Sequence, residues 1–366
     1  MPHKKEPVSM KNSSARISAR LRTVMEDAID RRVFPGCAVG VYDGCGAPYY
    51  VTAGRYTYGR DAPAVRQDTI YDVASITKAI PTTMLAYVCM EQGLFTTRDR
   101  LVRFLPAFRG SFREQISIWH LLTYTLDAGF SLSSLKDLPP GEIMHRILTA
   151  PAGTPPGARF CYCNATSILL ARVIEEVLGE RLDVCAHGYL FAPLGMRRSW
   201  FEVPPRYHAY VVPTEDDPWR GRVVKAQVHD ESAYALRPDY IAGSAGLFST
   251  VEDLCRVLVL LVDEGVYGGR RLLAKESVAA MHHNRLGDIG VQQGLGWELH
   301  QPRFMGENAS ARAFGKTGFT GCVCVIDPLI RKAFVMLSNY TYPHRKTDRE
   351  AINAVRRRIA DVVFEP

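Results

Sequence analysis

The sequence predicts a mixed α/β protein whose sheet is completed by both ends of the chain around a mostly helical middle. Strand-like runs lie before residue 60 and again after about 290, and helical periodicity governs most of the region between. Neither an internal repeat nor a low-complexity linker interrupts the chain. Its 366 residues suit two domains at about 150 residues each. With 47% hydrophobic and 23% charged residues it can bury a full core, which excludes disorder, collagen-like repeats and disulfide miniproteins.

Taken in order, residues 1–14 are polar and expected as a disordered, frayed tail. Ile17, Leu21, Val24, Ala28 and Ile29 then share one helical face that stops at Pro35-Gly36. Strands are expected over 37–42 and 49–53, joined by a turn that holds Gly and Asp. From Ser75 to the stop at Gly93 the pattern is helical, with a kink at Pro81, where a backbone hydrogen bond is lost. Pro- and Gly-rich loops alternate with helices after that, including a turn cluster over 151–157 and an apolar helix over 167–178. Ser249 to Asp253 reads as an N-cap and capping box ahead of a helix over 254–262. Strands are expected over 294–299, 321–326 and 333–338, and a basic amphipathic helix over 348–363.

Lys plus Arg number 45 against 38 acidic residues, a net +7 that suits an anionic substrate but is too diffuse for nucleic acid. Arg356-Arg357-Arg358 reads as a solvated helix face. Nine cysteines, among them Cys161, Cys163, Cys322 and Cys324, match no zinc spacing and read as small buried hydrophobes in a reducing compartment. His282-His283 and His229-Asp230-Glu231 lack a third ligand at metal spacing, so no metal is expected. A phosphate loop and a dinucleotide fingerprint are missing too, so neither is any cofactor. The longest strongly apolar run, 257–262, has six residues, far below the ~20 that span a bilayer. No apolar run follows Lys4-Lys5, so the expected location is cytoplasmic.

Three short signals carry chemistry. Ser75-Ile76-Thr77-Lys78 stands at a helix start, where a lysine one turn on reaches a serine hydroxyl that needs a base to become nucleophilic. The helix N-terminus also supplies N–H groups for a developing oxyanion. Tyr162-Cys163-Asn164 offers a phenol able to shuttle protons beside a cation, and an amide able to hold a carbonyl. Lys316-Thr317-Gly318, flanked by Gly315 and Gly321, offers an ammonium and a hydroxyl to a carboxylate on a strand that a substrate backbone can approach. By itself, Ser-x-x-Lys is expected about once by chance in such a chain, and Lys-Thr-Gly about one time in ten. Their order, at spacings of 87 and 154 residues, is what gives them weight.

In that order these residues resemble the serine β-lactamase and penicillin-binding protein superfamily. Tyr162-Cys163-Asn164 in the middle place points to its class C β-lactamase-like branch of D-Ala-D-Ala carboxypeptidases, D-aminopeptidases and β-lactamase-like esterases. The similarity runs over residues 16–363 and takes in 116–125, 190–196 and 245–250. It implies an antiparallel sheet flanked by helices, formed by 15–80 plus 230–366, with a mostly helical domain, 81–229, inserted. It also implies a serine hydrolase: Ser75 is acylated, Lys78 and Tyr162 share the base role, and Asn164 orients Lys78 and the substrate amide. Lys316 would tune Tyr162 and, with Thr317 and Gly318, meet the substrate. The N–H groups of Ser75 and Phe319 would bind the oxyanion, Phe319 standing where class C β-lactamases carry a small residue. The implied substrate is a small molecule or short peptide bearing a carboxylate, a D-alanyl peptide or β-lactam. The alternatives are a carboxylesterase and a non-catalytic penicillin-binding sensor.

Overall fold

The computed structural model describes residues 8–365 apart from 151 and 347. Residues 1–7 of the expected tail and Pro151 of the turn cluster lie outside the described residues, and helix α1 (Val8–Asp30) takes up the rest of that tail. Six strands form one antiparallel sheet: β1 (Gly36–Tyr42), β2 (Tyr49–Gly54), β3 (Glu298–Leu299), β4 (Phe314–Thr317), β5 (Val323–Asp327) and β6 (Lys332–Ser338). They are ordered β2-β1-β6-β5-β4-β3, so β1 pairs with β6, Val39 opposite Met336. Between β2 and β3 the chain is mostly helical and includes α2 (Met84–Glu91), α3 (Asn164–Leu178) and α4 (Val251–Val262). After β6 comes α5 (Glu350–Val363).

Successive strand residues face opposite sides, and the register sorts them into two cores. Val39 and Val41 of β1 and Phe334 and Met336 of β6 pack with Leu21 and Met25 of α1 and Ile352 and Ile359 of α5. Ala38 and Tyr42 of β1 and Val335 and Leu337 of β6 join the other core, with Leu254, Leu258 and Leu261 of α4. Helices therefore cover both faces, and all seven residues of β1 are buried. The antiparallel sheet flanked by helices is the fold class the sequence predicts.

Local differences from expectation have physical causes. At Pro81 the expected kink is a complete break: Ile80 leaves helical geometry (φ −123°, ψ 111°) and α2 starts only at Met84. Of the strand expected over 294–299 only Glu298–Leu299 is assigned to the sheet, because Gly296 turns with φ +85° and gives its N–H to the Leu122 carbonyl at 2.7 Å. The start of the strand expected over 321–326 is replaced by a tight turn, with Gly321 N–H on the Gly318 carbonyl at 3.1 Å. Thr250 caps α4 as its residue type dictates, accepting the Asp253 N–H at 3.2 Å. Arg356 corrects the reading of a solvated 356–358 face, since it is only 3% exposed and points into the protein.

Candidate active site

Ser75 sits in the turn that opens the helix broken at Pro81, directly after the short strand Tyr71–Asp72, which pairs with Phe248–Ser249. Ala74 before it is held at φ +47°, a left-handed conformation costing a non-glycine residue about 1–2 kcal/mol. Two contacts hold it there: its N–H donates to Asp72 Oδ1 at 2.8 Å, and its carbonyl accepts from Thr77 Oγ1 at 2.7 Å. The second Asp72 oxygen accepts the His229 N–H at 2.7 Å. Burial pushes the Asp72 carboxyl up to about 6 in spite of these bonds. Lys78, buried one turn beyond Ser75, donates to Ser75 Oγ at 3.0 Å and to the Ser244 carbonyl at 2.8 Å.

Tyr162 and Lys316 join this pair. Tyr162 is 45% exposed along the cleft, and its hydroxyl meets Ser75. Burial raises the phenol; Lys316, Lys78 and a hydrogen bond with Ser75 outweigh it, so Tyr162 lies below the usual tyrosine value. Lys316 Nζ lies 4.5 Å from the Tyr162 ring centre and 4.8 Å from that of Tyr124, and Lys78 Nζ 5.2 Å from Tyr162. Lys316 is itself fully buried and paired with Glu298 Oε1 at 3.2 Å. Burial opposes its charge, but Tyr124, Tyr162 and Glu298 outweigh that and raise its pKa. Asn164, at the start of α3, donates to Asp230 Oδ2 at 3.1 Å and Ser232 Oγ at 3.2 Å, while the described Lys78 bonds go to Ser75 and Ser244.

Beyond Thr317 the chain turns through Gly318–Cys322 beside Ser75. A methyl group on Gly318 would stand 2.4 Å from the Val73 carbonyl, so the glycine is required by the approach of this turn to the Ser75 segment. Thr320 Oγ1 ties the turn to the Asp72 carbonyl at 2.7 Å. Among the described residues nothing accepts the N–H of Ser75 or of Phe319. The Phe319 ring stacks on His229 at 5.7 Å, and the Arg349 guanidinium lies 3.7 Å from its centre.

A cleft of about 320 Å³ opens over these groups, lined by Ser75, Tyr162, Thr317, Gly318 and Phe319, with Phe160 and Asn353 at its walls and Glu298, Arg303, Arg349 and Arg356 as its charged lining. Of the eight residues singled out in the sequence, Ser75, Tyr162, Thr317, Gly318 and Phe319 line it; Lys78 and Lys316 lie beneath. Asn164 faces a neighbouring cavity with Cys161 and Cys163. None of the nine cysteines forms a disulfide, and six are buried. Cys161 is brought down to about 7, chiefly by a hydrogen bond from Cys163. Sequence reasoning missed Asp72, Glu298, Ser244, Arg349 and Arg356. A usable signal existed for Arg356 alone, which continues the apolar stripe Ile352, Val355, Ile359.

The family model described as Beta-lactamase matches residues 21–357. An Escherichia coli (strain K12) protein named "Putative D-alanyl-D-alanine carboxypeptidase" is 28% identical over 305 residues, which is 74% of this chain and 69% of that protein. Two solved structures share the fold. "EstCE1, a hydrolase with promiscuous acyltransferase activity" superposes with a TM-score of 0.75 at 20% identity, over 95% of this chain and 98% of that one. A class C beta lactamase gives 0.74 at 18% identity, over 94% and 97%.

Proposed function

The chain belongs to the Beta-lactamase family, and from that premise we propose that it is a serine hydrolase that works through an acyl-enzyme on Ser75. The observation that carries this reading is the convergence on one hydroxyl of Lys78, 3.0 Å away, and of Tyr162, whose acidity Lys316 and Lys78 increase. Ser75 Oγ attacks the substrate carbonyl as Lys78 and Tyr162 take its proton. Charge on the carbonyl oxygen is met by the N–H groups of Ser75 and Phe319, which no described residue uses otherwise. Tyr162 then returns a proton to the departing amine or alcohol. Water, deprotonated at the same phenol, releases the acid and restores Ser75.

The substrate in this reading is a D-alanyl peptide or β-lactam whose carboxylate lies against Arg349. Lys316 is enclosed beneath Tyr162 and paired with Glu298, so its part is to hold the phenol acidic; Arg349 lines the cleft with Arg303 and Arg356, and of the three it is the one held against the Phe319 ring and carbonyl. A carboxylesterase is the second reading, favoured by the aromatic walls Phe160 and Phe319, the latter 41% exposed. We also propose the division into a discontinuous sheet unit, 15–80 plus 230–366, and an inserted unit, 81–229. Six buried cysteines outside any disulfide support a reducing, cytoplasmic setting. Among the described residues no helix is long and apolar enough to cross a membrane.

A fluorescent penicillin and an activated-serine probe, each with wild type and Ser75→Ala, test the reading. Ser75-dependent labelling that turns over is expected, and no Ser75-dependent label from either reagent refutes it. Label that persists without turnover identifies a sensor, and hydrolysis of a chromogenic ester but not of a D-Ala-D-Ala peptide identifies the esterase.

A further inference from the structure

We propose that Arg356 is a positioning residue whose guanidinium, by gripping the carbonyls behind the Gly318–Cys322 turn, aims the Phe319 N–H at the reacting oxygen; this rests on the hydrolase reading above. Arg356 projects from α5 and donates to the carbonyls of Gly318 at 2.9 Å, Cys322 at 3.0 Å and Gly321 at 3.3 Å. Its remaining bond is to Asn353 Oδ1 at 2.9 Å, from its own helix. Among the described residues no carboxylate is ion-paired with it, although it is only 3% exposed, its remaining edge lining the cleft. An apolar side chain at this point of the α5 stripe would avoid the cost of burying an unpaired cation. A guanidinium here is therefore explained by what it holds.

What it holds determines a direction. In a trans peptide the carbonyl of one residue and the N–H of the next point opposite ways. With the Gly318 carbonyl drawn onto Arg356, the Phe319 N–H must point away from α5. It finds no acceptor among the described residues, and Ser75 lines the same cleft. Two further ties fix the turn on either side of this peptide: Arg349 Nη1 donates to the Phe319 carbonyl at 2.8 Å, and Thr320 reaches the Asp72 carbonyl. Gly318 and Gly321 bring no side chains of their own to stiffen the turn. The planar fork of an arginine spans several carbonyls at once, which an ammonium on a single stem does not.

The test compares Ser75-dependent hydrolysis of an activated ester and of its thionoester by wild type, Arg356→Lys and Arg356→Met, with melting curves for each. Sulfur is a poor oxyanion-hole acceptor, so an aimed N–H favours the oxygen ester strongly. Expected is a kcat loss of about 10- to 100-fold, part of the 10²–10³ typical for a deleted oxyanion donor. KM should stay within about 3-fold, and the ester-to-thionoester ratio should fall with kcat. A folded Arg356 variant that keeps the wild-type ratio overturns the assignment, even if kcat falls. Where neither variant folds, Asn353→Ala loosens the guanidinium from outside the core, and an unchanged ratio there overturns it equally. Lack of Ser75-dependent turnover in wild type refutes the hydrolase reading, and this assignment with it.

Discussion

Replacing Lys316 by methionine tests the electrostatics of the site most directly. Its ammonium lies 4.5 Å from the Tyr162 ring centre. At roughly that distance and an effective dielectric of about 20, two unit charges interact by roughly 3.7 kcal/mol. Tyr162 is 45% exposed, and solvent screening reduces this to roughly 1.4–2.8 kcal/mol. The sign follows from the charge: without the cation the phenolate loses support, Tyr162 titrates higher, and the acid limb of kcat/KM moves to higher pH. In a pH profile measured with a chromogenic ester, the variant should be about 10- to 100-fold slower near neutrality and recover much of the difference at high pH. Glu298, which keeps Arg303 as an ion-pair partner, still opposes the phenolate, so Lys316→Met/Glu298→Gln should move the limb back part of the way. A folded Lys316→Met protein with an unmoved acid limb refutes the role given to the lysine.

Other consequences are as specific. Asp72 titrates near 6 when folded, above its ordinary 3.8, so the folded protein holds that proton more tightly than the unfolded chain. The stability it contributes is complete below pH ~4 and lost as pH rises through about 6; urea unfolding across that window should show the decline in wild type and not in Asp72→Asn. Arg349→Ala, which also frees the Phe319 carbonyl, should lower kcat for all substrates but raise KM by about 10-fold or more, the worth of a charge-assisted bond, only for one bearing a carboxylate; equal KM effects on a carboxylate substrate and a neutral ester remove Arg349 from substrate recognition. Cys161, brought down to about 7, should be alkylated first by iodoacetamide at neutral pH, with activity lost as the adduct crowds Tyr162. Cys161→Ser should keep its activity under that treatment, as peptide mapping and rates will tell.

Much of this architecture was legible in the chain because it depends on local patterns. The runs that became β1, β2 and β6 are apolar with turn residues at their ends, and the α4 cap is written in Thr250 and Asp253. The three triplets likewise mark Ser75, Tyr162 and Lys316, which the fold brings together. What stayed hidden depends on contacts between distant segments. Glu298 belongs to a strand only two residues long, and only the fold shows that its carboxylate neutralises Lys316. Asp72 looks like an ordinary strand residue until His229, 157 positions on, donates to it. Lys316 was read as facing the substrate because a residue's place in a motif does not reveal its burial.

The passage of β1 to the side of β6 has a consequence for the making of the protein. Ser75 leaves the ribosome about 280 residues before Arg356, and β6, the strand that sits beside β1, is also translated long after the nucleophile. During that interval β1 has β2 on one edge and an open edge on the other. Native pairing of this kind closes slowly, because a long loop must be ordered before any contact rewards it. A nascent chain therefore carries Ser75 well before it has the Gly318–Cys322 turn that the proposed reaction needs. Activity should arise late and all at once, when the returning segment docks, so truncation before α5 would leave a serine with no reaction to perform.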